Sequence, residues 1–185
     1  YPLNTLPLFS TIVIAISAPE RTPQAYAQLY QKSLYRFLSQ VSFKRILFCS
    51  STVVYASSEE RWCDEETLEY NQNFRAYSLL CAERFIKYYA ANRYVILRIG
   101  GLESSPCAHV KKQVAGPSPW RNLVWRGDVC KIIEKIVFQY PDLCGTFNIC
   151  SDSHPYRHTE PDYGKKISNL KIKAAIGYQF QGTYL

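Results

Sequence analysis

The clearest signal along the chain is an alternation between short apolar runs and longer stretches whose apolar residues recur at helical spacing. Residues 11–17 are rich in β-branched side chains and close on Ala18-Pro19, the pattern of a buried parallel strand that ends in a turn. Tyr26, Leu29, Tyr30, Ser33 and Phe37 then fall on one helical face, predicting an amphipathic helix over 24–40. Residues 45–50 form a second apolar strand. A polar stretch from Ser57 to Asn73 reads as a long loop, and Leu79, Ala82, Ile86 and Tyr89 predict a helix over about 75–91. A third strand, 94–99, stops at Gly100-Gly101.

Beyond that point the pattern loosens. It suggests a short helix near 109–114, a Gly116-Pro117-Ser118-Pro119 break and an extended piece at 122–125. Val129, Ile132, Ile133, Ile136 and Val137 predict a helix over 128–139, followed by a strand at 146–150 and a polar loop over 151–164. Ser168 or Asn169 is placed to cap a last short helix through Ile176, with Gly177 as its stop. Strands alternating with helices imply a parallel sheet with helical crossovers, so the fold class is α/β. Two regions are expected: 1–100, with the regular alternation, and 101–185, a mixed region with a returning strand and helix.

Composition narrows the function classes. With 47% hydrophobic and 20% charged residues, 185 residues suffice for one well-packed domain. No apolar run approaches the roughly 20 residues that span a bilayer, which excludes a membrane helix and suggests a cytoplasmic protein. The formal charge of +7 is dispersed rather than gathered into a stripe, which argues against nucleic acid as a partner. Seven cysteines without a C-x-x-C pair read as reduced thiols. His109, His154 and His158 have no ligand partners at metal spacing, so no metal site is expected. Trp120 and Trp125, beside Arg121 and Arg126, are placed to cover the sheet or line a cleft.

Ligands of open parallel sheets bind beyond the carboxyl ends of the strands. Three segments qualify: Ser17-Ala18-Pro19, Cys49-Ser50-Ser51-Thr52, and Arg98 to Leu102. The second sets a run of hydroxyls directly after a buried strand, where they can hold a carbonyl or alcohol oxygen. The same residues carry a resemblance. Ser50-Ser51-Thr52-Val53-Val54-Tyr55, then Trp62-Cys63-Asp64-Glu65-Glu66, a helix, and Val95-Ile96-Leu97-Arg98-Ile99-Gly100-Gly101 resemble the NAD(P)-dependent epimerase/dehydratase family of extended short-chain dehydrogenases. Asn122-Leu123-Val124-Trp125-Arg126-Gly127-Asp128-Val129 and Gly164-Lys165-Lys166-Ile167-Ser168-Asn169 are similar to its later segments.

That resemblance implies a Rossmann-like doubly wound parallel sheet, with 1–100 the remainder of a nucleotide-binding domain and 101–185 carrying substrate-side segments. It implies hydride exchange at a carbonyl or alcohol carbon of a small-molecule substrate such as a nucleotide-sugar, with NAD or NADP as cofactor; a homodimer is compatible with it. It implies that Ser51, four residues before Tyr55, binds the substrate oxygen, the alternative being an ordinary turn hydroxyl. It implies that Ser17, Ala18, Pro19 and Ser50 lie along the cofactor and that Gly100, Gly101 and Leu102 lie beside the nicotinamide. Two features depart from the family pattern. Its Y-x-x-x-K pair is broken: Tyr77 stands at the tyrosine position with Cys81 in place of lysine, or, aligned on Glu83, Arg75 and Leu79 occupy the pair. The first glycine is Gly100, so no glycine-rich phosphate loop occurs, and the resemblance implies a further segment on the order of 60 residues ahead of Tyr1, enough for two βα units. The competing expectation is a degenerate Rossmann-fold binding or sensor protein without turnover.

Overall fold

The computed structural model describes residues 8–56, 62–68, 70–104, 122–152 and 166–181. Four strands form its main sheet: β1 (Ile12–Ile14), β2 (Ile46–Ser51), β4 (Tyr94–Ile99) and β7 (Gly145–Ile149), in the spatial order β1-β2-β4-β7. Every pairing is parallel, with Ile14 opposite Phe48, Ser51 opposite Ile99, and Ile99 opposite Ile149. Two small parallel pairs flank it: β3 (Trp62–Cys63) with β8 (Lys166–Ile167), and β5 (Gly101–Glu103) with β6 (Leu123–Trp125).

The strands read as unbroken apolar runs because both faces of the sheet are covered. Ile46, Phe48 and Ile96 face one cluster, built with Tyr30, Leu34 and Leu38 and with Leu79, Ala82 and Ile86. Leu47, Val95, Leu97 and Ile99 face the other, built with Ile132, Ile136, Ile172 and Ile176. The first helical layer holds α1 (Pro23–Tyr26), which passes through a π-wound stretch at Ala27–Ser33 into α2 (Leu34–Leu38), and α3 (Phe74–Ala90). The second holds α4 (Arg126–Gln139) and α5 (Leu170–Ile176). Thr22 caps α1 by accepting from the Ala25 amide, and Asn73 caps α3 by accepting from Ala76. Arg45 enters at the start of β2 and is 7% exposed; its guanidinium donates to the Ile136 and Leu143 carbonyls, tying the end of α4 to the sheet.

Several expectations need correction. The first strand is three residues long, not seven, because Ala15 to Ala18 leave the ladder before the turn. The loop expected over 57–73 contains β3, whose two residues are too few to show a period; β5 and β8 escaped prediction for the same reason. Asn169 does not cap α5 with its side chain. Its amide instead donates to Cys150 and Asp152, while the Ser168 hydroxyl accepts from the Leu170 amide at 3.4 Å. Gly177 ends α5 in the left-handed conformation, as expected. The helix expected at 109–114, the Gly116 to Pro119 break, Trp120, Arg121, all three histidines, and Gly164-Lys165 lie outside the described residues. No helix among the described residues is long and apolar enough to cross a membrane.

β1 is an edge of the sheet, yet its side chains are apolar, and Val13 and Ile16 are 43% and 38% exposed. Behind it, the Tyr30 hydroxyl donates to the Ile16 carbonyl at 3.0 Å, and burial pushes its pKa up to about 12. Tyr55 is likewise pushed up to about 12, by burial acting against the lowering influence of Arg98. A phenol whose pKa is raised by folding contributes stability that is whole below its unfolded value near 10 and is lost as pH climbs through the folded value. Stability should therefore decline between pH 10 and 12 at constant salt, with these two phenols among the last to ionise. Following tyrosinate absorbance and circular dichroism together checks this, since Tyr30→Phe should remove part of the decline.

Candidate functional site

Parallel pairing brings the carboxyl ends of β1, β2, β4 and β7 to one edge of the sheet. Two adjacent serines stand there at the end of β2, and strand alternation gives them opposite surroundings. Ser50 is 5% exposed and donates to Glu83 Oε1 at 2.6 Å. Ser51 is half-buried, with extended backbone (φ −141°, ψ 148°), and starts a 3-10 turn at Thr52–Val54. Its oxygen accepts from the Val53 amide at 3.2 Å. No acceptor for its own proton stands among the described residues. Ser51 therefore combines the turn-capping role with a hydroxyl proton available to a ligand oxygen.

Behind the turn lies a buried polar network that periodicity could not show. Glu83, from the inner face of α3, and Arg98, from β4, are each 2% exposed and form a two-pronged ion pair: Nε to Oε1 at 3.1 Å and Nη2 to Oε2 at 2.7 Å. Arg98 Nη1 donates to the Tyr55 hydroxyl at 2.9 Å, and that hydroxyl donates to Asn148 Oδ1 on β7 at 2.8 Å. Burial acts to lower the Arg98 pKa, but the hydrogen bonds and charge of Glu83 outweigh it and hold the guanidinium above its ordinary value. Asn148 completes the chain, its side-chain amide reaching the Ser168 carbonyl and its backbone N–H donating to Glu65. A signal for Glu83 was present in the sequence, since a glutamate shares the face of Leu79, Ala82 and Ile86 while an arginine interrupts an apolar strand.

On α3, Leu79 and Glu83 are buried together on the inner face, and Arg75 is half-buried. Tyr77 is 60% exposed, Cys81 is half-buried, and no side-chain hydrogen bond joins Tyr77 to Ser51 among the described residues.

After β1, Ser17 and Pro19 are exposed and Ala18 packs against the first core cluster; the Ser17 hydroxyl donates to the Ala18 carbonyl at 3.4 Å. Ser17 lies three residues past Ile14 and Ser51 three past Phe48, so the Ile14–Phe48 register carries both to the same edge. At the end of β4, Gly100 donates to Ile149 and Gly101 to Asn122. A Cβ on Gly100 would lie 2.2 Å from the Asn122 carbonyl oxygen, so the close approach of two backbones demands glycine there. Leu102 is 52% exposed. The sequence carries no signal for one further group: Ser151, just past β7, is 2% exposed, and its hydroxyl has no hydrogen-bond partner among the described residues.

No protein-family model matches the sequence, and no curated protein matches it. Solved structures do. A structure of MoeE5 in complex with UDP-glucuronic acid and NAD superposes with a TM-score of 0.72 at 15% identity, over 97% of this chain and 79% of that one. UDP-N-acetylglucosamine 4-epimerase from Bacillus cereus matches with a TM-score of 0.63 at 16% identity, over 92% and 72%. UDP-glucuronic acid 4-epimerase from Bacillus cereus, in complex with UDP-glucuronic acid and NAD, matches at 0.66 and 13%, over 90% and 68%. At such identities the likeness establishes the fold, a Rossmann-like parallel α/β sheet.

Proposed function

We propose that this chain belongs to the NAD(P)-dependent epimerase/dehydratase family and acts on a nucleotide-sugar in the cytoplasm. The observation that carries the proposal is Ser51: a half-buried hydroxyl at the carboxyl end of a central strand, its oxygen anchored by the turn and its proton free to bond a carbonyl or alcohol oxygen. Hydride exchange at the carbon bearing that oxygen is the chemistry a nicotinamide supplies when bound.

The described residues do not by themselves fit a whole dinucleotide. A pyrophosphate needs backbone amides that no side chain screens, and the first glycine, Gly100, is committed to the contact with Asn122. Binding of NAD or NADP therefore requires a glycine-rich βα unit supplied from outside this sequence, and the open apolar edge of β1 is where its strand can pair. Ser17, Ala18, Pro19, Gly101 and Leu102 remain the candidate cofactor contacts, while Ser50 bonds Glu83. Tyr77, exposed on α3, remains the candidate acid/base.

Calorimetry with NAD, NADP and UDP-glucose, on protein produced from the whole reading frame, tests the proposal; epimer formation is followed by NMR. Binding with turnover supports it. Nucleotide-sugar binding without turnover would leave the degenerate reading. Where turnover is seen, Ser51→Ala should lower kcat/KM roughly tenfold, about the value of one hydrogen bond. The exposed aromatic group on α2 and α3, where Tyr35 (49% exposed) stacks edge-on with Phe85 and Tyr89, and Tyr88 is 81% exposed, is our candidate dimer face. Sedimentation should then give twice the monomer mass for the natural chain and the monomer for Tyr35→Glu/Tyr88→Glu.

A further inference from the structure

We infer that the buried Glu83–Arg98 pair is a positioning device for the Ser51 hydroxyl, holding its turn from both sides. The inference rests on the role proposed for Ser51. Ser50, immediately before it, is tied to Glu83 Oε1; Tyr55, immediately after the turn, is tied to Arg98 Nη1. The same carboxylate oxygen that receives Ser50 also receives Arg98 Nε, so the two anchors meet in one rigid, two-pronged pair. Between them lie only Ser51 and the three residues of the 3-10 turn.

The clamp is itself fixed from three elements. Glu83 rides on α3, Arg98 on β4, and Tyr55 is held from β7 by Asn148. Tyr55 is fully buried, so it cannot touch a substrate, and Arg98 and Glu83 are nearly so; all three act through Ser51. Every side-chain polar atom of the network has a partner, which is the condition under which a buried polar cluster holds one geometry instead of several. A hydroxyl that is to meet a ligand oxygen needs its position set to within about half an ångström, and a turn anchored at one end would leave it free to swing.

The Val53 amide reports directly on this geometry because it is bonded to the Ser51 oxygen. Hydrogen exchange resolved to single amides is measured on the natural chain, on Ser50→Ala and on Tyr55→Phe, each of which cuts one anchor while leaving the ion pair in place. Ser51→Ala gives the limit for an unbonded Val53 amide. The expected result is exchange at Val53 at least about tenfold faster in both anchor variants, moving toward that limit, with Ile46 to Phe48 unchanged. Unchanged exchange at Val53, or a rise spread equally through β2, would overturn the inference. Glu83→Gln should give the largest local effect, but the conclusion does not depend on its folding. The measurement needs no ligand, so the absence of UDP-glucose binding to the natural chain would sink the proposed function and not the clamp. Where binding is present, the anchor variants should lose affinity for UDP-glucose in the same order as their Val53 exchange rises.

Discussion

Arg98→Met should lower the unfolding free energy by about 3–5 kcal/mol, the range found when one partner of a buried ion pair is removed. The reason is the group left behind. Glu83 would keep its carboxylate at 2% exposure with Ser50 as its remaining side-chain donor among the described residues, and the Tyr55 hydroxyl would lose the hydrogen bond from Arg98. Nor is the pair itself a large source of stability. Taking two charges out of water largely offsets their attraction, so removing both should cost far less than removing one. Glu83→Leu/Arg98→Met is therefore expected to recover most of the loss. Urea unfolding of the four members of this cycle measures it. A single-variant loss below about 1 kcal/mol, or additive losses in the double variant, would show that the two residues do not depend on each other.

Gly100→Ala is expected to destabilise at or above the upper end of the about 1–3 kcal/mol typical of overpacking. Its Cβ would meet backbone, not the pliable end of a side chain: the Asn122 carbonyl oxygen at 2.2 Å and its carbon at 2.9 Å. Relief requires moving β6 away from β4 just where Gly100 bonds Ile149 and Gly101 bonds Asn122. Gly177 offers a contrast. A Cβ there meets nothing within 4 Å, and its φ of +59° limits the penalty of Gly177→Ala to roughly 1–2 kcal/mol of left-handed backbone strain. Thermal unfolding of both variants distinguishes them. Equal, small losses would mean that the β4–β6 approach is soft, and would return Gly100 to consideration as a pure ligand contact.

Much of the architecture was legible in the chain. The runs that became β2, β4 and β7 are apolar at successive positions because each is covered on both faces, and α3 and α4 declared themselves by their apolar faces. Asn73, one residue before α3, is a helix cap by chemistry alone. The pieces that escaped are those with no room for a period: β3 and β8 with two residues each, and β5 with three. Their existence depends on a partner from elsewhere in the chain, Trp62 opposite Lys166 and Gly101 opposite Leu123.

The candidate site divides along the same line. By itself, the sequence determined that hydroxyls follow β2, that no lysine completes a Y-x-x-x-K pair and that no glycine precedes Gly100. Those are properties of residue identity and short spacing, which a linear chain states outright. It could not say which of Ser50 and Ser51 is buried, because alternation assigns opposite faces without saying which face a helix covers. Nor could it say that Glu83 meets Arg98, or that Tyr55 meets Asn148, 93 residues further on. Only the tertiary structure decided those pairings. A buried charge or phenol takes whichever partner the packed sheet and helices bring within about 3 Å, and local sequence carries no record of that choice.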